Sequence, residues 1–154
     1  MCRAAGTSEL LWIGSRGCAS GLHFDKAHNF NIQLYGRKKW VIFPREQQPL
    51  LYLPSTLKKT HFSPIDFDAP DHERFPRYRE ATPIEFDVEP GETLFLPVGW
   101  VHHVRTLEFS IGLNLWWLTW RQAVRWAPGF LRGKLAAALA SAIPTSIPQE
   151  MRNQ

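Results

Sequence analysis

Cysteine is nearly absent: Cys2 and Cys18 are the whole supply, with no metal-binding spacing between them, and a disulfide framework is not expected. A reducing, cytoplasmic setting is the simpler home. Residues 1–9 lack the apolar core of a secretory signal, and the longest apolar run, 135–143, is too short for a bilayer. No membrane span is expected. Concentrated positive charge is missing as well. The net charge is +4, but Arg37/Lys38/Lys39, Arg74/Arg77/Arg79 and Arg121/Arg125/Arg132/Lys134 are dispersed along the chain and read as solvated faces. A nucleic-acid partner is not implied. What the chain has in abundance is aromatic: 7 Trp and 10 Phe in 154 residues, residues that favour strands and pocket walls. Its 12 Pro and 10 Gly are spread out, punctuating short segments as an all-β domain requires.

Eight short strands can be read in order. Residues 10–13 form an apolar run expected to be buried on both faces, after a tail at 1–9. A second strand carries His23 and Asp25. Residues 29–35 alternate strictly, with Phe30, Ile32 and Leu34 on one face and Asn29, Asn31, Gln33 and Tyr35 on a face expected to line a wet cavity. A fourth strand runs over 38–43 and stops at Pro44. An excursion over about 45–83 is long enough to be a binding loop or lid. Strands at 84–88, 92–96, 100–107 and 109–117 follow. This pattern predicts a double-sheet jelly roll, a double-stranded β-helix, over 10–117. Helices are expected within 118–143, the second with Leu131, Leu135, Leu139 and Ala142 at four-residue spacing, and then a tail over 144–154.

In an extended strand, residues two apart share a face, so His23 and Asp25 offer a neutral nitrogen and an anionic oxygen to one ion. A third ligand is needed, and His28, His61, His72, His102 and His103 are the candidates. Two histidines with one carboxylate leave positions open on the metal, the arrangement of non-haem Fe(II) oxygen chemistry. The stretch from Gly91 through Pro97-Val-Gly99 to His102 resembles the second cupin motif. Strand parity agrees, placing Trp100, His102, Val104 and Thr106 on one face and leaving His103 as a hydrogen-bonded core residue.

With these residues in hand, the chain resembles the JmjC-type Fe(II)- and 2-oxoglutarate-dependent oxygenases of the cupin superfamily. Within them it is most similar to the asparaginyl hydroxylase acting on hypoxia-inducible factor. The shared stretches are Leu-Trp-Ile-Gly at 11–14, the block from Asp66-Phe67-Asp68 to Glu73-Arg74-Phe75-Pro76, Trp100-Val-His102-His103 and Asn114-Leu-Trp116. The resemblance implies Fe(II) held by His23, Asp25 and His102. It implies 2-oxoglutarate with its distal carboxylate on Lys38, helped by Ser20, and Asn29 and Asn114 nearby, whereas Trp116 would be a wall. It further implies O2 as co-substrate, a protein or peptide as the hydroxylated partner and a homodimer through the C-terminal helices. Parity does not separate Lys38 from Lys39. The chain departs from that hydroxylase at His61-Phe62, where the relative has an Arg-Gln pair for the substrate amide, and in the N-terminal region, which is expected to be truncated or minimal. Two other readings are a cupin of isomerase or sugar-modifying type, and a non-catalytic JmjC-like interaction module.

Overall fold

The strictly alternating segment becomes a central strand whose polar side faces inward. The structure, a computed structural model, describes residues 4–53 and 61–122, with side chains from residue 7 onward. The chain divides into two compact units: residues 7–117, and a second composed of 1–6 with 118–154. Eight strands make up the described β structure: β1 (Ala4–Gly14), β2 (His23–Phe24), β3 (His28–Tyr35), β4 (Lys38–Phe43), β5 (Ile84–Val88), β6 (Thr93–Leu96), β7 (Val101–Thr106) and β8 (Ser110–Thr119). They form two four-stranded sheets, ordered β1-β8-β3-β6 and β2-β7-β4-β5, the interleaved topology of a jelly roll.

Inside the roll, Trp40, Ile42, Val88 and Leu96 form one core. β3 contributes Asn29, Asn31 and Gln33 to the same interior, all buried, while Phe30 and Leu34 face outward at 39% and 50% exposure. The expected wet face of this strand is thus the interior one as far as Gln33, whereas Tyr35, expected on the same face, is 59% exposed because the register shifts between Gln33 and Tyr35. Tight geometry joins β3 to β4. Gly36 has φ +66°, and a Cβ there would sit 2.1 Å from the Phe109 carbonyl oxygen, so only glycine fits the turn that delivers Lys38.

The second sheet has an apolar outer face as well, and the excursion covers it. Leu22, Phe24, Val41, Phe43 and Val101 pack with Leu51 from the excursion, and Leu53, Phe67 and Tyr78 lie against them. Short 3-10 helices at Arg45–Gln47 and Pro76–Glu80 bracket it, and Arg105 Nη2 donates to both carboxylate oxygens of Asp68. The described part of the excursion is therefore largely an outer layer of the fold.

Several expectations need correction. Residues 4–9 are strand and not tail, and residues 10–13 are exposed, because β1 is the edge of its sheet. His28 already belongs to β3, and Asp25 lies just past the two-residue β2. β8 runs through Leu118 to Thr119, so helix starts only at Trp120. The cause is a capping box: the Gln122 backbone N–H donates to Thr119 Oγ1 at 3.4 Å and the Thr119 N–H to Gln122 Oε1 at 2.7 Å. The remaining expectation of helices, including the Leu131/Leu135/Leu139 stripe, lies outside the described residues.

Candidate metal centre and co-substrate pocket

β2 pairs antiparallel with β7, and the register sets His23 opposite His102. Their rings come to 4.2 Å between centroids. Asp25 follows β2 immediately, and one ligand atom from each of His23, Asp25 and His102 lies within 4.8 Å of the others. Among the described residues this is the one group of three or more metal-ligating side chains so placed.

Each of the three is oriented by a neighbour. His23 Nδ1 lies 2.7 Å from the Gly21 carbonyl oxygen and His102 Nδ1 lies 3.2 Å from that of Trp100. A carbonyl only accepts, so Nδ1 carries the proton in both rings and Nε2 keeps its lone pair for a metal. Asp25 Oδ2 accepts from Trp116 Nε1 at 2.8 Å and Asn29 Nδ2 at 3.3 Å, which leaves Oδ1. Burial, reinforced by His23, pushes His102 down to about 4, with Asp25 and the Trp100 carbonyl opposing; the ring is neutral near pH 7, as a ligand must be. Two imidazole nitrogens and one carboxylate oxygen, each with a free lone pair, fit Fe(II) with open positions.

The centre opens into a cavity of about 510 Å³. Ser20, Asn31, Lys38, Thr106 and Asn114 line its polar side, and Trp12, Ile13, Phe62 and Trp116 its apolar side. Lys38 is buried and makes no hydrogen bond or ion pair with the described residues, and desolvation lowers its pKa. Lys39, one residue on, points away and pairs with Glu85 at 2.8 Å. Of the two lysines, Lys38 is thus the one that faces the cavity. Ser20 Oγ accepts the Val104 N–H at 3.0 Å, which leaves its own proton to donate.

Not every anticipated residue lines the cavity. Asn29 is turned to Asp25, and Asn31 takes the place at the wall, donating from Nδ2 to Asn114 Oδ1 at 2.6 Å. Trp116 is a wall and also a donor to the candidate ligand Asp25. His103 is buried on the opposite face as parity required, with Phe67 stacked on it at 4.1 Å and the Ser20 backbone close enough to its ring to oppose the lowering of its pKa by burial. Strand parity puts Asn31 with Asn29 and Thr106 with His102 on the cavity-facing sides, and both do line the cavity, but the sequence assigns neither a role. His61, a candidate third ligand in the sequence, is not in the His23/Asp25/His102 group, and Phe62 enters the sequence reading with it only as a departure from the resembled hydroxylase. Their segment lies along β2, Phe24 N–H donating to the His61 carbonyl at 3.3 Å and Ser63 N–H to that of Leu22 at 2.8 Å. Phe62 thereby stacks on His23 at 4.9 Å, and His61, lowered by burial and by His23, stands 6.0 Å from the same ring.

A jelly roll with a His-Asp-His group at one end defines a metal-binding cupin. Residues 3–122 match the family described as Cupin-like domain, and the chain belongs to that family. Similar curated proteins include lysine-specific demethylase 8 of Xenopus tropicalis, 35% identical over 69% of this chain and 24% of the relative. Others are tRNA wybutosine-synthesizing protein 5 of Gallus gallus, 36% identical over 71% and 33%, and HSPB1-associated protein 1 of Homo sapiens, 36% identical over 72% and 24%. The chain thus spans a quarter to a third of the length of these relatives. They support the JmjC cupins as a group and do not single out the hydroxylase of hypoxia-inducible factor. No helix among the described residues is long and apolar enough to cross a membrane.

Proposed function

We propose that this domain is an Fe(II)- and 2-oxoglutarate-dependent dioxygenase that hydroxylates a side chain of a protein substrate. The observation that carries the reading is one cavity holding both a His23/Asp25/His102 group and a buried Lys38 without an ion-pair partner among the described residues. In this reading His23, Asp25 and His102 hold the iron. Lys38 and the Ser20 hydroxyl bind the distal carboxylate of 2-oxoglutarate, a charge-assisted contact in a poorly solvated site. Asn114, fixed by Asn31, flanks the co-substrate, and Asn29 with Trp116 fixes Asp25. When bound, iron and 2-oxoglutarate supply the oxidation: one oxygen atom of O2 leaves in succinate, with release of CO2, and the other enters a C–H bond of the substrate.

The test is succinate formation with Fe(II), ascorbate and 2-oxoglutarate, joined to mass spectrometry of candidate proteins for a gain of one oxygen. A metal-loaded protein that never consumes 2-oxoglutarate with any substrate offered favours the non-catalytic module. A nucleic-acid substrate is the second reading, favoured by a 36% identical relative named for tRNA wybutosine synthesis. A gain of one oxygen in tRNA nucleosides, and none in protein, would establish it.

A further inference from the structure

We infer that Gln33 is a positioning residue for Lys38, accepting one N–H of its ammonium group, and that glycine at position 112 keeps the space beside the pair uncrowded. The inference rests on the co-substrate reading of Lys38 and adds to it how that side chain is aimed.

Gln33 is completely buried at the centre of β3, and its amide cannot turn freely. Nε2 donates to the carbonyl oxygens of Tyr35 and Gly36, each at 2.8 Å, the two residues that form the turn into β4. With both amide protons committed there, Oε1 is forced to the other side. It is buried and without a partner among the described residues, a costly state for an acceptor. A Cβ placed on Gly112 would stand 3.4 Å from this oxygen and 3.0 Å from Lys38 Nζ. One small space beside the Gly112 backbone therefore has an acceptor lacking a donor on one side and an ammonium with three donors on the other.

Chemistry selects the partner. An incoming carboxylate has only lone pairs to offer and cannot satisfy Oε1, whereas the ammonium can donate to Oε1 and keep its other N–H groups for the ligand. The oxygen also favours the charged form of a lysine that burial alone disfavours. Gln33 thus links the β3–β4 turn to the floor of the pocket, and a side chain at 112 would crowd the ammonium and require it to shift by a few tenths of an ångström.

The experiment uses direct binding to the metal-loaded protein, with Zn(II) in place of iron, by calorimetry. Two probes are compared: 2-oxoglutarate, which has a distal carboxylate, and oxalate, which chelates metal and has none. Gly112→Ala and Gln33→Met are each expected to weaken 2-oxoglutarate by about tenfold or more, the loss of one charge-assisted hydrogen bond or of its geometry, and to leave oxalate unchanged. Equal weakening of both probes would reduce Gln33 and Gly112 to structural residues and overturn the inference. So would unchanged 2-oxoglutarate affinity in Gly112→Ala, the variant that keeps both Gln33 bonds to the turn if Gln33→Met fails to fold. If the unsubstituted protein binds oxalate but not 2-oxoglutarate, it is the co-substrate reading itself that fails.

Discussion

His102 and His103 are adjacent and chemically alike, and only the pleat of β7 separates them. His102 pairs with Ile42 and faces the cavity; His103 pairs with Val41 and stacks on Phe67. We expect His23→Ala, Asp25→Ala and His102→Ala each to abolish succinate formation, since no other described side chain is placed to complete the group. His103→Ala should retain turnover, with a loss of at most about 10-fold to 100-fold, that of a supporting group. Full activity in His102→Ala would sink the assignment. The lysines make the same contrast. Lys38→Ala should weaken 2-oxoglutarate by roughly 30-fold to 10³-fold, measured by calorimetry, because a charged partner is lost in a desolvated site. Lys39→Ala removes only an exposed pair with Glu85 and should change affinity by less than about twofold. Loss of iron on Lys38→Ala, or equal effects at the two positions, would count against the division of roles between the two lysines.

At the scale of elements, the excursion is the part whose role the sequence concealed. Proline and acidic residues made it look like loop, yet Leu51, Ile65 and Phe75 are buried, because the outer face of β2, β4 and β7 is apolar and requires a cover. Leu51→Ala should therefore destabilise the domain by about 2–5 kcal/mol, as for a fully buried leucine, read as a lowered urea midpoint at unchanged slope. A midpoint like that of the unsubstituted protein would mean that the excursion does not pack on the core. The succession of eight strands and the interior faces of β3, as far as Gln33, and of β7 were legible, since period-two alternation and glycine-proline punctuation act locally. The Gly91 to His102 spacing carried the third candidate ligand for the same reason. Edge status was not legible: residues 10–13 look like a buried strand because β1 is apolar throughout that run, and only the sheet order shows it exposed. Nor could parity choose between Lys38 and Lys39, because β4 is apolar beyond them on both faces, one turned to the interior and the other to the excursion.

For the molecule as a whole, burying imidazoles has a consequence for stability against pH. His102 is driven down to about 4 by burial first and by His23 second, and burial lowers His28, His61 and His103 as well. In the unfolded chain these rings take up a proton near pH 6.5. Folded, His102 stays neutral until about pH 4. Between those values the unfolded state binds more protons, so stability falls as pH falls, and the contribution is intact above the unfolded pKa. For His102 the full loss is on the order of 3 kcal/mol, large against the 5–15 kcal/mol that a domain of this size possesses. A bound divalent ion steepens the dependence, since its ligands must remain unprotonated in the native state. We therefore expect the unfolding free energy from urea titrations to be level from pH 8 to 7 and to drop progressively from pH 6.5 to 4.5. His102→Gln keeps a polar side chain of similar reach without a titrating ring, and it should flatten the largest part of that drop. A metal-free protein equally stable at pH 7.5 and pH 5, or a His102→Gln variant with an undiminished slope, would show that the buried imidazole is not what couples this fold to protons.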